Sequence, residues 1–320
     1  MTHKTSISAV VCLLLALAAS TSASAKQQEL MIDVGEVSLA ATLLEPRGAK
    51  AAAVIIAGSG PTDRNGNSAV IPGNNNSLKY LAEALDKRKI TTLRFDKRMI
   101  GDSADPALGE EDLRFGHLVS DAAGLADWLR ERTGLPTLLI GHSEGGQIAL
   151  TAADFMQQPP DGVVVLAGPG RHPAEILIDQ LAAQLPPDLY ERSETLIGEL
   201  RNGNTVEDTP DVLASLFRPS VQPYMISWFA NDPQAQAAAI EAPLLLVYGS
   251  SDLQVPPSEG ATLRRVQSKA QLVVLDGMNH VLKRVGDDYD KQQASYGDPS
   301  LPIDKRLVRT ISDFVGTIVE

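Results

Sequence analysis

"LLIGHSEGGQIAL" (138–150) decides how this chain is read. An apolar run meets Gly141, then His142, Ser143 and Glu144, then Gly145 and Gly146, and a second apolar stretch opens. The pattern is G-x-S-x-G. A strand that turns within one residue into a helix forces that residue into strained backbone geometry, and bulky neighbours would clash there. Glycines two positions before and after it relieve the clash. The Ser143 hydroxyl is then held out at the carboxyl end of a sheet. The N–H of Glu144 points into the same space from a helix N-terminus, where an oxyanion is stabilised. By itself the pattern is weak. Its place between an apolar strand and an apolar helix start, "GQIALTAADF", strengthens it.

Outward from this turn, strand-like and helix-like pieces alternate, which points to an α/β fold with a largely parallel sheet. "ELMIDV" and "EVSLAATLL", parted by Gly35, read as an antiparallel opening pair. "AAAVIIAG" (51–58), "TTLRFD" (91–96), "PTLLIG" (136–141) and "GVVVLAG" (162–168) read as buried strands. Residues 77–89 and 118–132 read as helices, the second with Leu118, Ala122, Leu125 and Leu129 on one face. From 171 to 241 no buried strand is expected, and the stretch is amphipathic and helical. The sheet resumes at "PLLLVYG" (243–249) and "AQLVVLDG" (270–277), and a helix closes the chain near 304–319. About 70 residues are too many for a plain connection, so they predict a helical cap between strands 6 and 7. Residues 26–170 and 242–320 are then the core.

A reactive serine needs a base, usually histidine, and the histidine needs a carboxylate to hold its tautomer. His280 lies in "LDGMNHVLK", just past the last strand and so at the same sheet edge as Ser143. It is the best base. His172, at the start of the cap, is the second choice. His117 begins a helix elsewhere, and the side chain of His142 is expected to project away from the turn. For the acid, "LLLVYGSSDLQVPP" puts Asp252 three residues past a strand end; Asp276, at the last strand's own end, is weaker. The order Ser143, Asp252, His280 is that of α/β-hydrolases and differs from both protease orders. A second oxyanion donor is expected from "IIAGSGPTDRNGN", with the Ser59 N–H first and the Gly60 N–H second. That loop lacks the third glycine of the dinucleotide fingerprint. Asp63 and Arg64 are expected to pair and fix it. Asp96, Lys97 and Arg98 are expected to brace neighbouring loops.

Composition narrows the function classes. The 320 residues carry a formal charge of −12 without a basic block, which argues against nucleic acid and gives no pull toward anionic membranes. Lys4, the run "ISAVVCLLLALAA" and an A-x-A site at Ala23-Ser24-Ala25 read as a signal peptide over residues 1–25. The run is short for a membrane span; an uncleaved anchor is the alternative. Export to the periplasm or the medium follows. Cleavage removes Lys4 and takes the charge to −13. Cys12 is the only cysteine, so the mature chain has no thiol nucleophile, thiolate metal site or disulfide.

Four segments, "GSGPTDRNGN" (58–67), "RFDKRMIGDS" (94–103), "GHSEGG" (141–146) and "YGSSDLQVPP" with "GMNH", together resemble the bacterial α/β-hydrolase carboxylesterases related to the serine aminopeptidase S33-like hydrolases. The tail "YGDPSLPIDKRLVRTISDFV" is similar too. The resemblance implies an α/β-hydrolase fold, a mostly parallel sheet with helices on both faces. It implies Ser143 as nucleophile, Asp252 as acid and His280 as base, with no cofactor and no metal. Two positions depart from the family: Met99 stands where glycine is usual, and Asn65 where aspartate is usual. Small to medium acyl esters are the expected substrates. A serine aminopeptidase is the runner-up, with Glu175, Asp179 or Glu144 to hold an α-amine. A non-catalytic binder would be marked by a damaged triad, and a dehalogenase would need aspartate at 143. The sequence leaves the natural substrate and the oligomeric state open.

Overall fold

The computed structural model describes residues 26–320; the signal peptide expected over 1–25 lies outside the described residues. Eight strands form one sheet: β1 (Lys26–Val34), β2 (Val37–Glu45), β3 (Ala51–Ile56), β4 (Ile90–Phe95), β5 (Thr137–His142), β6 (Gly162–Leu166), β7 (Leu244–Gly249) and β8 (Gln271–Leu275). Their spatial order is β1-β2-β4-β3-β5-β6-β7-β8. β1 and β2 form an antiparallel hairpin, β2 pairs antiparallel with β4, and every later pairing is parallel. This is the α/β-hydrolase fold.

The central strands are buried on both faces, which is why they read as unbroken apolar runs. Their side chains alternate between two cores. Ala52, Val54, Ile56, Leu139, Val163 and Val165 enter one; Ala53, Ile55, Leu138, Ile140 and Val164 enter the other. Helices α1 (Ser77–Asp86) and α11 (Lys305–Val319) cover the second face. In α11, Leu307, Val308, Ile311, Phe314 and Val315 recur at helical spacing, and all five are buried. Helices α2 (Phe115–Thr133), α3 (Glu144–Ala152), α8 (Pro233–Ala239) and α9 (Pro257–Val266) cover the first face.

Between β6 and β7 also stand α4 (Pro173–Ala182), α5 (Pro187–Arg201), α6 (Ala214–Phe217) and α7 (Gln222–Phe229). They share an apolar cluster of their own, centred on Leu196, Leu200, Phe217 and Met225. That cluster ends at Phe229. α8 packs on α3 and α9 instead, and its Ala237 and the following Ile240 enter the main core. By packing, the segment from 233 to 240 therefore goes with the sheet, although the sequence grouped it with the cap. A short α10 (Tyr289–Ser295) precedes α11. Among the described residues, no helix is long and apolar enough to cross a membrane.

Candidate active site

Because β3, β5, β6, β7 and β8 run parallel, their carboxyl ends meet at one edge. Ser143 stands at the end of β5, between strand and helix α3, with φ 55° and ψ −125°. A side chain with a β-carbon rarely adopts such a φ. The ladder holds it there: the Ser143 N–H donates to the Leu166 carbonyl at 2.9 Å, and the Gly146 N–H donates to the Ser143 carbonyl at 2.8 Å. The glycines are required by space. A β-carbon on Gly141 would lie 1.9 Å from the Gly145 carbonyl oxygen, and one on Gly145 would lie 2.4 Å from that of Ile56.

Asp252 and His280 follow β7 and β8. The His280 Nδ1–H donates to Asp252 Oδ2 at 2.9 Å, and both side chains are buried. The other Asp252 oxygen accepts the N–H groups of Gln254 and Val255, at 2.8 and 2.9 Å. The carboxylate is thus aimed from both ends, and a buried carboxylate needs such partners. Asp276 is exposed and faces Arg284. His172 is spent on structure: its Nε2–H donates to the Phe229 carbonyl at 2.7 Å while Nδ1 accepts the Ala174 N–H.

Ser59, Ser143 and Glu144 border a small cavity of about 80 Å³. Ile176, Leu177 and Trp228 from α4 and α7 line it, with Pro169, Pro173 and Val255, and with Gln180 and Gln254 as polar members. Glu144 is the first residue of α3, so its N–H has no partner within the helix. Among the described residues, no cluster of three His, Cys, Asp or Glu could hold a metal ion.

A model of the serine aminopeptidase S33 family matches residues 74–284, which include Ser143, Asp252 and His280. The chain belongs to this family. It is 26% identical over 245 residues to esterase EstD of Thermotoga maritima, covering 72% of this chain and 54% of that one. The chain thus spans about half the length of the curated relative it matches. Est1E from Butyrivibrio proteoclasticus, solved with ferulic acid bound, superposes with a TM-score of 0.60 at 16% identity, covering 91% of this chain and 99% of that one. The α/β hydrolase GrgF from a Penicillium species gives 0.60 at 16%, over 92% and 99%. At such identities the two structures speak for the fold.

Several side chains of this S33-family chain have partners that its sequence did not indicate. His142 does not turn away from the site. Its Nε2–H donates to the His280 backbone carbonyl at 2.8 Å, and the two rings lie 4.8 Å apart. Burial, with His280 adding to it, pushes its pKa down to about 3, so it is neutral. Asp63 and Arg64 do not pair. Asp63 accepts the N–H groups of Asn65 and Asn67 and so shapes its own loop. Arg64 reaches across to Asp96 at 2.6 Å, because Asp96 is buried and needs a cation. Arg98 forks onto the buried Asp121 of α2.

Lys97 braces neighbouring loops as the sequence suggested, and the loops it joins are those of the site. It is buried, and its ammonium donates to the Gly58 carbonyl at 2.5 Å and to Glu144 at 3.2 Å. The second Glu144 oxygen accepts the Tyr224 hydroxyl of α7 at 2.6 Å. Sheet order explains the meeting: β3 and β4 are neighbours, so the loops after them, at 58 and 97, adjoin. A lysine directly after a buried strand was the available sign, but strand order is not written in local spacing.

Proposed function

We propose that this chain is a serine hydrolase that cleaves carboxylic esters of small to medium acyl chain through an acyl-enzyme intermediate. The observation that carries this reading is the Asp252–His280 hydrogen bond at the sheet edge where Ser143 is held in strained backbone. With Nδ1 committed to Asp252, Nε2 is the nitrogen left to take the serine proton. His142 ties the two sites together, since it adjoins Ser143 and grips the His280 backbone. Ser143 attacks the acyl carbon as His280 takes its proton. Asp252 stabilises the imidazolium. The N–H groups of Glu144 and Ser59 bind the oxyanion. His280 then protonates the leaving alcohol, and water repeats the cycle on the acyl-enzyme.

The choice of ester over peptide rests on the carboxylates. An aminopeptidase needs a free acid to hold the substrate's α-ammonium. Glu144 is already occupied by Lys97 and Tyr224. Asp179 is paired with Arg171 at 2.8 Å, and Glu175 is exposed and does not border the cavity. The cavity is small, which suits a short acyl group. The esterase name of the Thermotoga relative agrees with this reading.

The α4–α7 helices act as the cap that controls entry. The N-terminal pattern of Lys4, apolar run and A-x-A site supports export with cleavage near Ala25; N-terminal sequencing of the protein from fractionated cells tests this.

The primary test is a fluorophosphonate probe with peptide mapping. Labelling should fall on Ser143 and be lost in His280→Ala. Hydrolysis of p-nitrophenyl butyrate should drop by roughly 10⁴-fold or more in Ser143→Ala. An unlabelled but folded protein would sink the reading. Faster cleavage of an amino-acid p-nitroanilide than of the matched ester would move the aminopeptidase to the front.

A further inference from the structure

We propose that Lys97 is the positioning residue of the oxyanion hole, one buried ammonium that fixes both donors, with Tyr224 of α7 holding the geometry from above. The inference rests on the serine-hydrolase reading and on Ser59 and Glu144 as the two donors.

The geometry is specific. The carbonyl that Lys97 grips, Gly58, belongs to the same peptide unit as the Ser59 N–H. A trans peptide is planar, and its C=O and N–H point opposite ways. Pinning the Gly58 oxygen toward Lys97 therefore aims the Ser59 N–H away from it. A hydrogen bond to a peptide oxygen also polarises the unit and makes its N–H a better donor. The same ammonium bonds the side chain of Glu144, whose backbone N–H is the other donor. The two donors come from loops after different strands, β3 and β5, and Lys97 comes from a third loop, after β4. The β3–β5 ladder ends at Ile56 and Gly141, and Ser59 lies three residues beyond it, so a side chain can set where its N–H falls.

Burying an ammonium is unfavourable by several kcal/mol unless it is paired. Glu144 supplies the charge, and Tyr224 satisfies its remaining oxygen at 2.6 Å. Burial and the neighbouring Glu144 carboxylate raise the Tyr224 pKa well above the usual tyrosine value, so its hydroxyl keeps the proton and remains a donor. The α7 helix is thereby wired to the hole. Lifting it removes a donor from Glu144 and loosens the hold on Lys97.

The test uses the full chain, with p-nitrophenyl butyrate as substrate and a trifluoromethyl ketone of matched length as mimic of the tetrahedral adduct. In Lys97→Met, kcat should fall about 10²-fold, with KM changed by less than about threefold. The inhibition constant of the ketone should rise in parallel with the loss of kcat, a link that a merely structural lysine would not produce. Lys97→Arg should recover part of both. Tyr224→Phe should lose about tenfold in kcat, again without a matching change in KM. If folded Lys97→Met keeps kcat within about twofold of the parent, or shows its whole loss in KM with ketone binding unchanged, the proposal is wrong. Should Lys97→Met fail to fold, Lys97→Arg and Tyr224→Phe decide alone: unaltered kcat and ketone binding in both overturn it. Undiminished esterase activity in Ser143→Ala would instead overturn the underlying reading, whatever Lys97 does.

Discussion

The carboxyl rim of the sheet and the helices above it are held by different kinds of force. At the rim, backbone fits against backbone. Gly141, Gly145 and the Ser143 ladder bonds leave no room for adjustment. The α4–α7 helices have a small apolar cluster of their own and meet the core through Tyr224 and Trp228 and through individual polar ties. Tyr224 bonds Glu144, Trp228 bonds Gln147, and Ser227 accepts the Phe115 N–H. Arg218 forks onto Glu110, and Glu259 receives the N–H groups of Gly170 and Arg171 where the chain enters α4. The contrast teaches that chemistry and access are held by different forces here and meet at few points, the Tyr224–Glu144 bond among them.

The largest effect should come from breaking the rim. Gly141→Ala drives a methyl into the Gly145 carbonyl. Labelling of Ser143 by the fluorophosphonate should fall roughly 10²-fold or more, since a displacement near 1 Å at the reacting atoms has that effect. Wild-type labelling would show that the turn tolerates a shift after all.

The next effect is on stability against pH. His142 is held neutral in the fold with a pKa of about 3, against 6.5 when unfolded. The unfolded chain binds the extra proton between these values, so the contribution is fully present above pH 6.5 and is lost as the pH falls toward 3. By pH 4.5 that loss is roughly 2–3 kcal/mol. A His142→Gln variant should show a smaller fall in Tm between pH 7 and 4.5 than the parent. An equal fall would assign the acid sensitivity to other groups.

Loosening the upper helices should matter less, and differently. Glu110→Ala removes the acceptor for Arg218 and Ser220. Both side chains are partly exposed, so about 1 kcal/mol of stability is at stake. KM for the ester should rise while kcat holds. A loss confined to kcat would mean that the Arg218–Glu110 contact also acts on the rim.

The smallest effects concern Met99 and Asn65. Met99 has φ 70°, the left-handed region that glycine occupies freely. Met99→Gly should raise Tm slightly, since about 1 kcal/mol of relieved strain is only partly offset by the added freedom of the unfolded chain. Asn65 Oδ1 accepts from Arg94 Nη1 at 2.5 Å, and Arg94 is buried with its Nε unpartnered. Burial lowers the Arg94 pKa to about 10. Asn65→Asp supplies a charge to that arginine and should also raise Tm. A fall in either variant would mean that this chain has repacked around its own residue.

These residues also mark where the sequence stopped being readable. The buried strands announce themselves as apolar runs, and the glycines at 141, 145 and 146 announce a tight turn. Position after a strand end pointed to Asp252 and His280. Each of those inferences uses residues close in the chain. The contacts of His142 with His280, Glu144 with Tyr224, and Arg64 with Asp96 join residues 138, 80 and 32 positions apart. They depend on which strands are neighbours and how loops fold back over them. The packing of 233–240 on α3 and α9 was unreadable for the same reason. The segment's helical pattern is clear, but the surface that pattern packs on is not.

The placement of the site's parts along the chain also bears on biosynthesis. Ser143 belongs to β5, while Asp252 and His280 follow β7 and β8, on the far side of the helical insertion. The serine is therefore translated 137 residues before the histidine. At about 5–20 residues per second, the ribosome takes roughly 7–27 s to cover that interval. In the proposed chemistry the nascent chain carries throughout this time a serine with no base to activate it. A product truncated anywhere in the insertion would keep the whole nucleophile turn and be no more reactive than an ordinary alcohol.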